Sequence, residues 1–312
     1  MIGCIKVKSW LRDYKIEVVI IVIGLIMMHL IFIAKAFRET DVVNPTGAGQ
    51  LGDFVGGYIG TCFALLSVVL LWSTLRHQRQ ASQQQYFETK YFELIKMHRD
   101  NVAEIKVRER EGRMFFVLLI REFRSLLNIV RKVAQEHNQI LTQEQIIHIT
   151  YYCLYFGTGP NSSRQLKKSL LEFWQPFIND LVTELDKSES KDKAKKDQNL
   201  GYTPFEGHQH RIGHYYRHLY QAVKYVDQQT IDIDKYEYVK TIRAQLSTHE
   251  QALLLLNSLS PIGCNWWKKD FLINYRLVQN IPHDFFDPDQ ELNVSRLFRP
   301  GYFEWEDVVS AT

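Results

Sequence analysis

Two long apolar stretches near the N-terminus stand out from the pattern of hydrophobic and polar positions. Residues 16–34 contain one charged residue, Glu17, and residues 54–72 contain none. Each stretch is 19 residues long, which matches the roughly 20 residues that a helix needs to cross about 30 Å of hydrocarbon. A signal peptide is the alternative for the first stretch, but its apolar region is shorter and Lys35 stands where small residues precede cleavage. The pattern predicts two transmembrane helices, which form a hairpin within residues 1–75.

A polar segment with helical periodicity follows the second apolar stretch. Residues 76–111 contain neither glycine nor proline, which would interrupt a helix. Their larger hydrophobic and aromatic positions recur three or four residues apart, as on one face of a helix: Phe87, Tyr91, Leu94, His98 and Val102. We therefore predict that the second transmembrane helix continues as a long stalk to residue 111.

The remainder of the chain has the pattern of a multi-helix domain without strands. Amphipathic segments predict helices within residues 112–186, and three helices with an aromatic tail within residues 201–312. Residues 187–200 are charged and almost free of apolar side chains, so they are predicted to form a mobile loop. The predicted fold class is all-α, with a membrane hairpin, a stalk and a cytoplasmic helical body.

The charge distribution predicts the orientation in the membrane. Basic residues precede the first apolar stretch and follow the second, whereas the loop between them carries both signs of charge. The positive-inside rule then places both termini and the body in the cytoplasm, in a multi-pass arrangement. The four cysteines form neither a C-x-x-C pair nor a disulfide framework, and therefore suggest no metal site.

Glycines along the second apolar stretch predict close helix packing. Gly52, Gly56 and Gly60 form two overlapping G-x-x-x-G steps, with Gly57 beside them. The partner is either the first transmembrane helix or a copy of the chain in a homo-oligomer, and the sequence leaves both open. Asp53 is interpreted as a cap at the outer N-terminus of the second helix, where the helix dipole favours a carboxylate, with an ion ligand as the alternative.

Four segments of the sequence together resemble a known family. They are LGDFVGGYIGTCFALLSVVLLWSTLRHQRQ at 51–80, YFETKYFELIKMH at 86–98, GHYYRHLYQAVKYV at 213–226 and RAQLSTHEQALLLLN at 243–257. In this order they are similar to the putative phage abortive infection protein family, some of whose members look like two-transmembrane effectors encoded with retrons.

The resemblance implies anti-phage defence at the bacterial inner membrane, with killing or arrest of the infected cell through membrane damage. It implies membrane lipid and protein partners of a defence complex, including a reverse transcriptase with its RNA-DNA product. It supplies no catalytic residues, no cofactor and no small-molecule substrate, so a non-enzymatic effector is expected. A non-toxic membrane anchor or sensor for a defence complex is an alternative.

Polar residues in the last two segments predict a network inside the body. Arg243, Glu250 and Asn257 are seven residues apart and would share one stripe if a single helix spanned them. A buried charge needs a partner, and the preceding helix offers several. The network is interpreted either as a packing device or as a regulatory contact, and its predicted members are His214, Tyr215, Arg217, Tyr220, Arg243, Gln245, Ser247, Glu250 and Asn257.

Two catalytic or metal alternatives arise from the same segments. Arg243 and His249 fit the loose R-x(4-6)-H spacing of a HEPN-like ribonuclease, in which both would act on a phosphate. His210, His214 and His218 would line one helix face, at a spacing that zinc can use. No phosphate-binding glycine loop of the usual nucleotide-binding types is present in the sequence.

Overall fold

A computed structural model of the chain describes residues 45–107, 110–159 and 162–309, together with residues 19, 22–24, 26, 29 and 30. The chain divides into two compact units, residues 1–82 and residues 83–312. In the described parts, helices account for nearly all regular structure, and the predicted all-α class is confirmed. The exception is one antiparallel ladder of two residues on each side.

The N-terminal unit contains a helix that is long and apolar enough to cross a membrane. It consists of α1 (Pro45–Phe54), a π-helical segment (Val55–Ile59) and the start of α2 (Gly60–Glu104). Its apolar stretch has no part buried within the protein. Exposed side chains there include Leu65, Val68 and Trp72.

The first predicted transmembrane segment, residues 16–34, lies largely outside the described residues. The residues of this stretch that are described are helical. At Gly24, an added Cβ would lie 2.5 Å from Cζ of Phe63, so the absence of a side chain permits this contact with α2. The basic residues before this segment and residues 35–44 after it also lie outside the described residues, whereas residues 45–53 of the predicted loop belong to α1.

The glycines that were predicted to pack have open surroundings. An added Cβ on Gly52, Gly56 or Gly57 would meet no described atom within 4 Å beyond the helix itself, and at Gly60 only the carbonyl oxygen of Val55, at 3.9 Å. Thr61 donates its hydroxyl hydrogen to the carbonyl oxygen of Gly57 at the π segment. The described contact between the two apolar stretches therefore uses Gly24, and the G-x-x-x-G face has no partner within the described residues.

The interpretation of Asp53 as an N-terminal cap is wrong. Asp53 is exposed and lies within the last turn of α1, because the helix already begins at Pro45. Proline is favoured in the first turn, where no N–H is required, and it therefore moves the helix start upstream of the apolar stretch.

The stalk ends earlier than predicted. The helix α2 ends at Glu104 instead of continuing to residue 111, and β1 (Lys106–Val107) pairs with β2 (Arg110–Glu111). After β2, Gly112 adopts φ +61° and donates its N–H to the carbonyl oxygen of Ile105 at 2.9 Å. Glycine tolerates this conformation, and the resulting turn outweighs the helical tendency of the charged residues before it.

The C-terminal unit is built around one central helix. The helix α3 (Met114–Glu136) packs against α4 (Gln143–Phe156), α6 (Gln175–Asp186) and α10 (Thr248–Ser258), while α5 (Ser162–Ser169) packs against α4 and α6. About half of α3 is buried, because its apolar residues form one broad face that contacts several helices at once. The last part of α2 belongs to this unit and buries five side chains: Phe87, Tyr91, Ile95, His98 and Val102.

The charged segment 187–200 is not a loop. It forms α7 (Ser188–Asp197), with Ala194 and Leu200 buried. Lys191 Nζ lies 2.7 Å from Asp186 Oδ1, an ion pair that supports the start of this helix. The burial of Ala194 and Leu200 thus keeps this segment ordered, although its charged composition predicts mobility. The prediction of a mobile loop at 187–200 is therefore wrong.

The last third of the chain has more and shorter helices than the three predicted. They comprise α8 (Gln209–Asp227), α9 (Lys235–Arg243), α10, and the single-turn helices α11 (Asn265–Lys268) and α12 (Phe271–Asn274), with α13 (Glu304–Val309) near the end. Short 3-10 turns occupy Pro261–Gly263 and Val294–Arg296. The segment predicted as one helix through RAQLS is divided between α9 and α10.

Candidate functional site

The division between α9 and α10 follows from a capping box at Ser247. The Ser247 Oγ accepts from the backbone N–H of Glu250 at 3.4 Å, and the Glu250 carboxylate accepts from the backbone N–H of Ser247 at 2.7 Å. This reciprocal pair satisfies N–H groups that a new helix leaves free. The S-x-x-E spacing in the sequence was therefore evidence for a helix start, and the single polar stripe through Arg243, Glu250 and Asn257 is wrong.

Glu250 is the centre of one buried polar cluster. Its carboxylate is fully buried and accepts from the hydroxyls of Ser247 at 2.6 Å and Tyr215 at 3.1 Å. Arg113, which precedes α3, places Nε 3.7 Å from Glu250 and donates Nη2 to the carbonyl oxygen of Gln245 at 2.8 Å. This cluster joins the α8 and α10 segments of the predicted network to the start of α3.

Tyr215 is held as a neutral hydrogen-bond donor in this cluster. Burial, followed by the charge and the hydrogen bond of Glu250, raises the pKa of Tyr215 well above its usual value. Its ring packs on Phe116 and on His98 of α2, with centroid distances of 4.8 Å and 5.0 Å. The cluster thus also contacts the end of α2 that belongs to this unit.

Arg243 has a different environment from Glu250. It is buried at the end of α9 and donates Nη1 to the carbonyl oxygens of Tyr275 and Arg276, at 3.2 Å and 3.1 Å. Its guanidinium thereby fixes the chain after α12. The predicted network is therefore divided, with Arg243 apart from the Glu250 cluster.

The remaining network residues lie around α8 and the end of α10. Asn257 is buried and donates Nδ2 to the Tyr151 hydroxyl at 2.8 Å. Arg217 is exposed and donates Nε to the carbonyl oxygen of Gly213 at 3.1 Å, while its Nη2 lies 3.5 Å from Nδ1 of exposed His214. Tyr220 packs on the rings of Trp266 and Phe271.

The residues of the ribonuclease alternative have separate contacts. His249 lies at the start of α10 with its ring 5.3 Å from that of Phe285. Burial, then the positive charges of Arg124 and Arg121, lowers its pKa. The guanidinium of Arg243 instead donates to the carbonyl oxygens of Tyr275 and Arg276.

The three histidines of the zinc alternative lie along α8. Within the described parts of the chain, no group of three or more histidine, cysteine, aspartate or glutamate side chains has an arrangement that could hold a metal ion. The contact of His214 is with Arg217, a cation that opposes metal binding nearby. The zinc alternative gains no support from this geometry.

A second buried polar cluster was missed by the sequence reasoning. Glu122 of α3 is fully buried and accepts from Nε2 of His208 at 2.8 Å, from the Tyr202 hydroxyl and from the backbone N–H of Phe205 at 2.7 Å. Burial raises its pKa, but the charge and hydrogen bond of His208, with the bonds from Tyr202 and Phe205, outweigh this and lower it overall. A carboxylate amid the apolar residues of MFFVLLIREF was the available sequence evidence.

A cavity of about 270 Å³ opens beside α8. It is bounded by Tyr155 of α4, by the Gly213 to Gln221 part of α8, by Asn257 and by the Pro261–Gly263 turn with the start of α11. Arg217, Tyr220 and Asn257, which the sequence singled out, line it, whereas Glu250 and Arg243 do not. A larger opening beside α6 and α7 is lined by carboxylates and lysines together, as a solvated mixed-charge surface would be.

Comparisons with known proteins agree with the family resemblance. Neither the comparison with curated proteins nor that with solved structures gives a significant match. The family model described as putative phage abortive infection protein matches residues 207–286, a range that contains α8 to α12, the Glu250 cluster except Arg113, and most of the cavity lining. Residues 207–286 of this chain are therefore similar to the family described as putative phage abortive infection protein.

Proposed function

We propose that this protein is a membrane-anchored effector of anti-phage abortive infection that disrupts the bacterial inner membrane when phage infection triggers it. The family domain at 207–286 implies anti-phage defence. The observation that supports a membrane mechanism is the long helix whose apolar stretch is unburied. Such a surface is costly in water and is accommodated by lipid.

The proposed topology has two transmembrane helices, with the N-terminus and the helical body in the cytoplasm. The second helix is the apolar part of α2 and the residues before it, and the first is the stretch at 16–34. The contact between Gly24 and Phe63 supports their packing as a hairpin. The open face at Gly52, Gly56 and Gly60 is then available for a second copy of the chain, so a homo-oligomer is part of this proposal.

The proposed control element is the part of α2 that belongs to the helical body. No loop separates residues 87–102 from the apolar part of the helix, because α2 begins at Gly60 and ends at Glu104. A change in the packing of Phe87, Tyr91 or His98 can therefore alter the rotation or tilt of the membrane segment. The trigger is a phage-derived component or a partner protein of a defence complex.

His98 lowers the stability of the packing between the end of α2 and the helical body. It is buried, and neither ring nitrogen has a hydrogen-bond partner among the described residues. A buried unsatisfied polar group costs about 1–3 kcal/mol, so the packing of α2 is weaker than an apolar residue would make it. Burial, then the positive charges of His218 and Arg113, lowers the pKa of His98 to about 4.

Replacing His98 with leucine is expected to stabilise the body and to reduce triggered toxicity. The free energy of unfolding should rise by about 1 kcal/mol at pH 7, because an unsatisfied polar ring is replaced by an apolar side chain. In the wild type, stability should fall between pH 6.5 and about 4, where the unfolded histidine binds a proton that the folded one resists. Denaturant titration of the full chain in detergent, at pH 7 and at about pH 4, measures the free energy of unfolding of the wild type and of His98→Leu. Met97→Leu, at an exposed neighbouring position, is the control.

The membrane mechanism is tested by dye uptake and membrane potential in infected cells that express the chain. Loss of potential and entry of a membrane-impermeant dye should precede the fall in viability. The pair Gly56→Leu and Gly60→Leu should reduce killing at least tenfold, because bulky side chains close the glycine face. The pair Val68→Leu and Val69→Leu, which adds apolar volume at exposed positions of the same helix, should leave killing unchanged.

Killing with an intact membrane potential would refute the proposal. Cleaved RNA together with loss of killing in His249→Ala would favour the ribonuclease alternative instead. Absence of toxicity with and without the trigger would favour a passive anchor or sensor.

A further inference from the structure

Residues 83–104, the α2 end segment, lie along α8 in the antiparallel direction. The ring of Phe87 stacks on that of Tyr225 with centroids 5.6 Å apart, and the ring of His98 lies 5.0 Å from that of Tyr215. His98 follows Phe87 by eleven positions, whereas Tyr215 precedes Tyr225 by ten. The two helices are therefore paired in opposite directions over about 15 Å, at about 1.5 Å per residue.

The α2 end segment contacts the rest of the body through one face. The Tyr91 hydroxyl donates to the carbonyl oxygen of Tyr238 at 2.8 Å, and the two rings meet edge to face with centroids 5.0 Å apart. Phe87 also meets the Tyr238 ring edge to face, at 4.9 Å. Away from this face, Phe92 and Met97 are exposed. The segment thus covers a tyrosine surface of α8 and α9 that consists of Tyr215, Tyr225 and Tyr238.

This contact is made by side chains, and some of its polar groups are unsatisfied. Within the described parts of the chain, no backbone-to-backbone hydrogen bond joins the α2 end segment to α8 or α9. Both ring nitrogens of His98 and Nδ2 of Asn101 are buried without a hydrogen-bond partner. Water would satisfy these three groups if the segment left, so part of its burial is unfavourable. The segment can therefore leave the tyrosine surface without breaking the backbone hydrogen bonds of α8 or α9.

The tyrosine surface fits a helix with a defined pattern of side chains. The α2 end segment meets it with two aromatic residues four positions apart, Phe87 and Tyr91, and buries Ile95 and Val102 further along. Anchors at this spacing are typical of an amphipathic helix that binds in a groove. Departure of the segment would expose the tyrosine rings to water, which is unfavourable. The surface is then suited to take another helix of the same pattern.

We propose that the tyrosine surface is an exchange site for amphipathic helices. The α2 end segment occupies it in the absence of a trigger, and a partner protein displaces the segment with a helix that carries aromatic side chains four residues apart. The consequence for the cell rests on the proposed function, because the displaced segment is continuous with the membrane part of α2. The exchange itself requires no membrane damage.

A labelled peptide copy of residues 83–104 tests the exchange on the full chain in nanodiscs. Fluorescence anisotropy measures the dissociation constant of the peptide. The Phe87→Ala chain should bind it with about tenfold or greater affinity than the wild type does, because the chain's own segment then competes less well. Tyr91→Phe is the milder variant, since it keeps the ring and removes the hydrogen bond to Tyr238. It should increase the affinity about fivefold.

Two controls are matched to these variants. The Phe92→Ala chain loses an aromatic side chain that is exposed on the same segment, and it should bind the peptide as the wild type does. A peptide that carries both Phe87→Ala and Tyr91→Ala should bind the Tyr91→Phe chain about tenfold or more weakly than the native peptide does.

Equal affinity of the native peptide for the wild-type, Tyr91→Phe and Phe92→Ala chains would overturn the inference. Equal binding of the native and the substituted peptide would do the same, as would failure of the native peptide to bind any of the chains. If the peptide exchanges as expected but infected cells die with an intact membrane potential, the proposed function fails and the exchange site stands.

Discussion

Replacing Glu122 with glutamine is expected to lower the free energy of unfolding of the helical body by about 3–5 kcal/mol, the usual cost of breaking a buried ion pair. The carboxylate is fully buried, and three donors from the segment before α8 converge on it. Glutamine keeps the shape but removes the negative charge opposite His208. Its amide also presents a donor where the carboxylate only accepts.

The pH dependence of stability provides a second measure of the same cluster. The folded pKa of Glu122 is below its ordinary value of 4.5, so the unfolded state binds a proton more readily. The stabilisation is therefore present above pH 4.5 and is lost as the pH falls through the folded pKa. The variant Glu122→Gln should lose this pH dependence of the free energy of unfolding below pH 4.5. The effect of His98 is separate, because it falls between pH 6.5 and about 4.

Glu172→Gln is the matched control, because Glu172 also faces a histidine. Its carboxylate lies 3.5 Å from Nδ1 of His148, but the Glu172 side chain is 62% exposed. An exposed pair contributes about 1 kcal/mol or less, so this variant should unfold almost as the wild type does. Denaturant unfolding of both variants in detergent, followed by near-ultraviolet circular dichroism, makes the comparison. Equal losses in the two variants would contradict a stabilising role for the buried pair.

Replacing Gly207 with alanine is expected to cost about 3 kcal/mol or more, because it combines a backbone clash with conformational strain. Gly207 has φ +87°, and a Cβ there would lie 2.1 Å from the carbonyl oxygen of Phe156. At Gly207 the segment before α8 crosses the end of α4, and the N–H of His208 donates to the carbonyl oxygens of Leu154 and Tyr155. The added methyl group would force them apart and displace His208 from Glu122.

Gly301→Ala separates the strain from the clash. Gly301 has a similar φ of +78°, but a Cβ there would meet nothing within 4 Å. This variant should lose only about 1–2 kcal/mol, the cost of a left-handed conformation in a residue with a side chain. The melting temperatures of the two variants, measured side by side, test the expectation. A loss in Gly207→Ala no larger than in Gly301→Ala would show that the crossing relaxes around the methyl group.

Some structural evidence was present in the sequence but was misinterpreted. The spacing of Ser247 and Glu250 matches the capping box with which α10 begins. The hydrophobic periodicity of RAQLSTHEQALLLLN was weighed above this local chemistry, so one helix was predicted in place of two. The short turn that ends α2 was less accessible, because it depends on a single glycine after a helix-forming segment.

The candidate site was predicted only in part. Arg217, Tyr220 and Asn257 were singled out and line the cavity, but Tyr155, Gly263 and Trp266 come from segments that the sequence did not connect with them. Arg113 reaches Glu250 from more than a hundred residues away along the chain. Such contacts depend on how whole helices cross, which local patterns do not specify.

The sequence by itself determined the helical class and the apolar stretch that is long enough to cross a membrane, because helix periodicity and hydrophobic length are local properties of the chain. Only the tertiary structure decided that Glu250 pairs with Tyr215 and Arg113, and that Arg243 binds backbone carbonyl oxygens instead. It also placed Arg217, Tyr220 and Trp266 around one cavity. The physical reason is that a buried polar group takes whichever partner the packing brings within reach, and that packing is fixed by residues far apart in the chain.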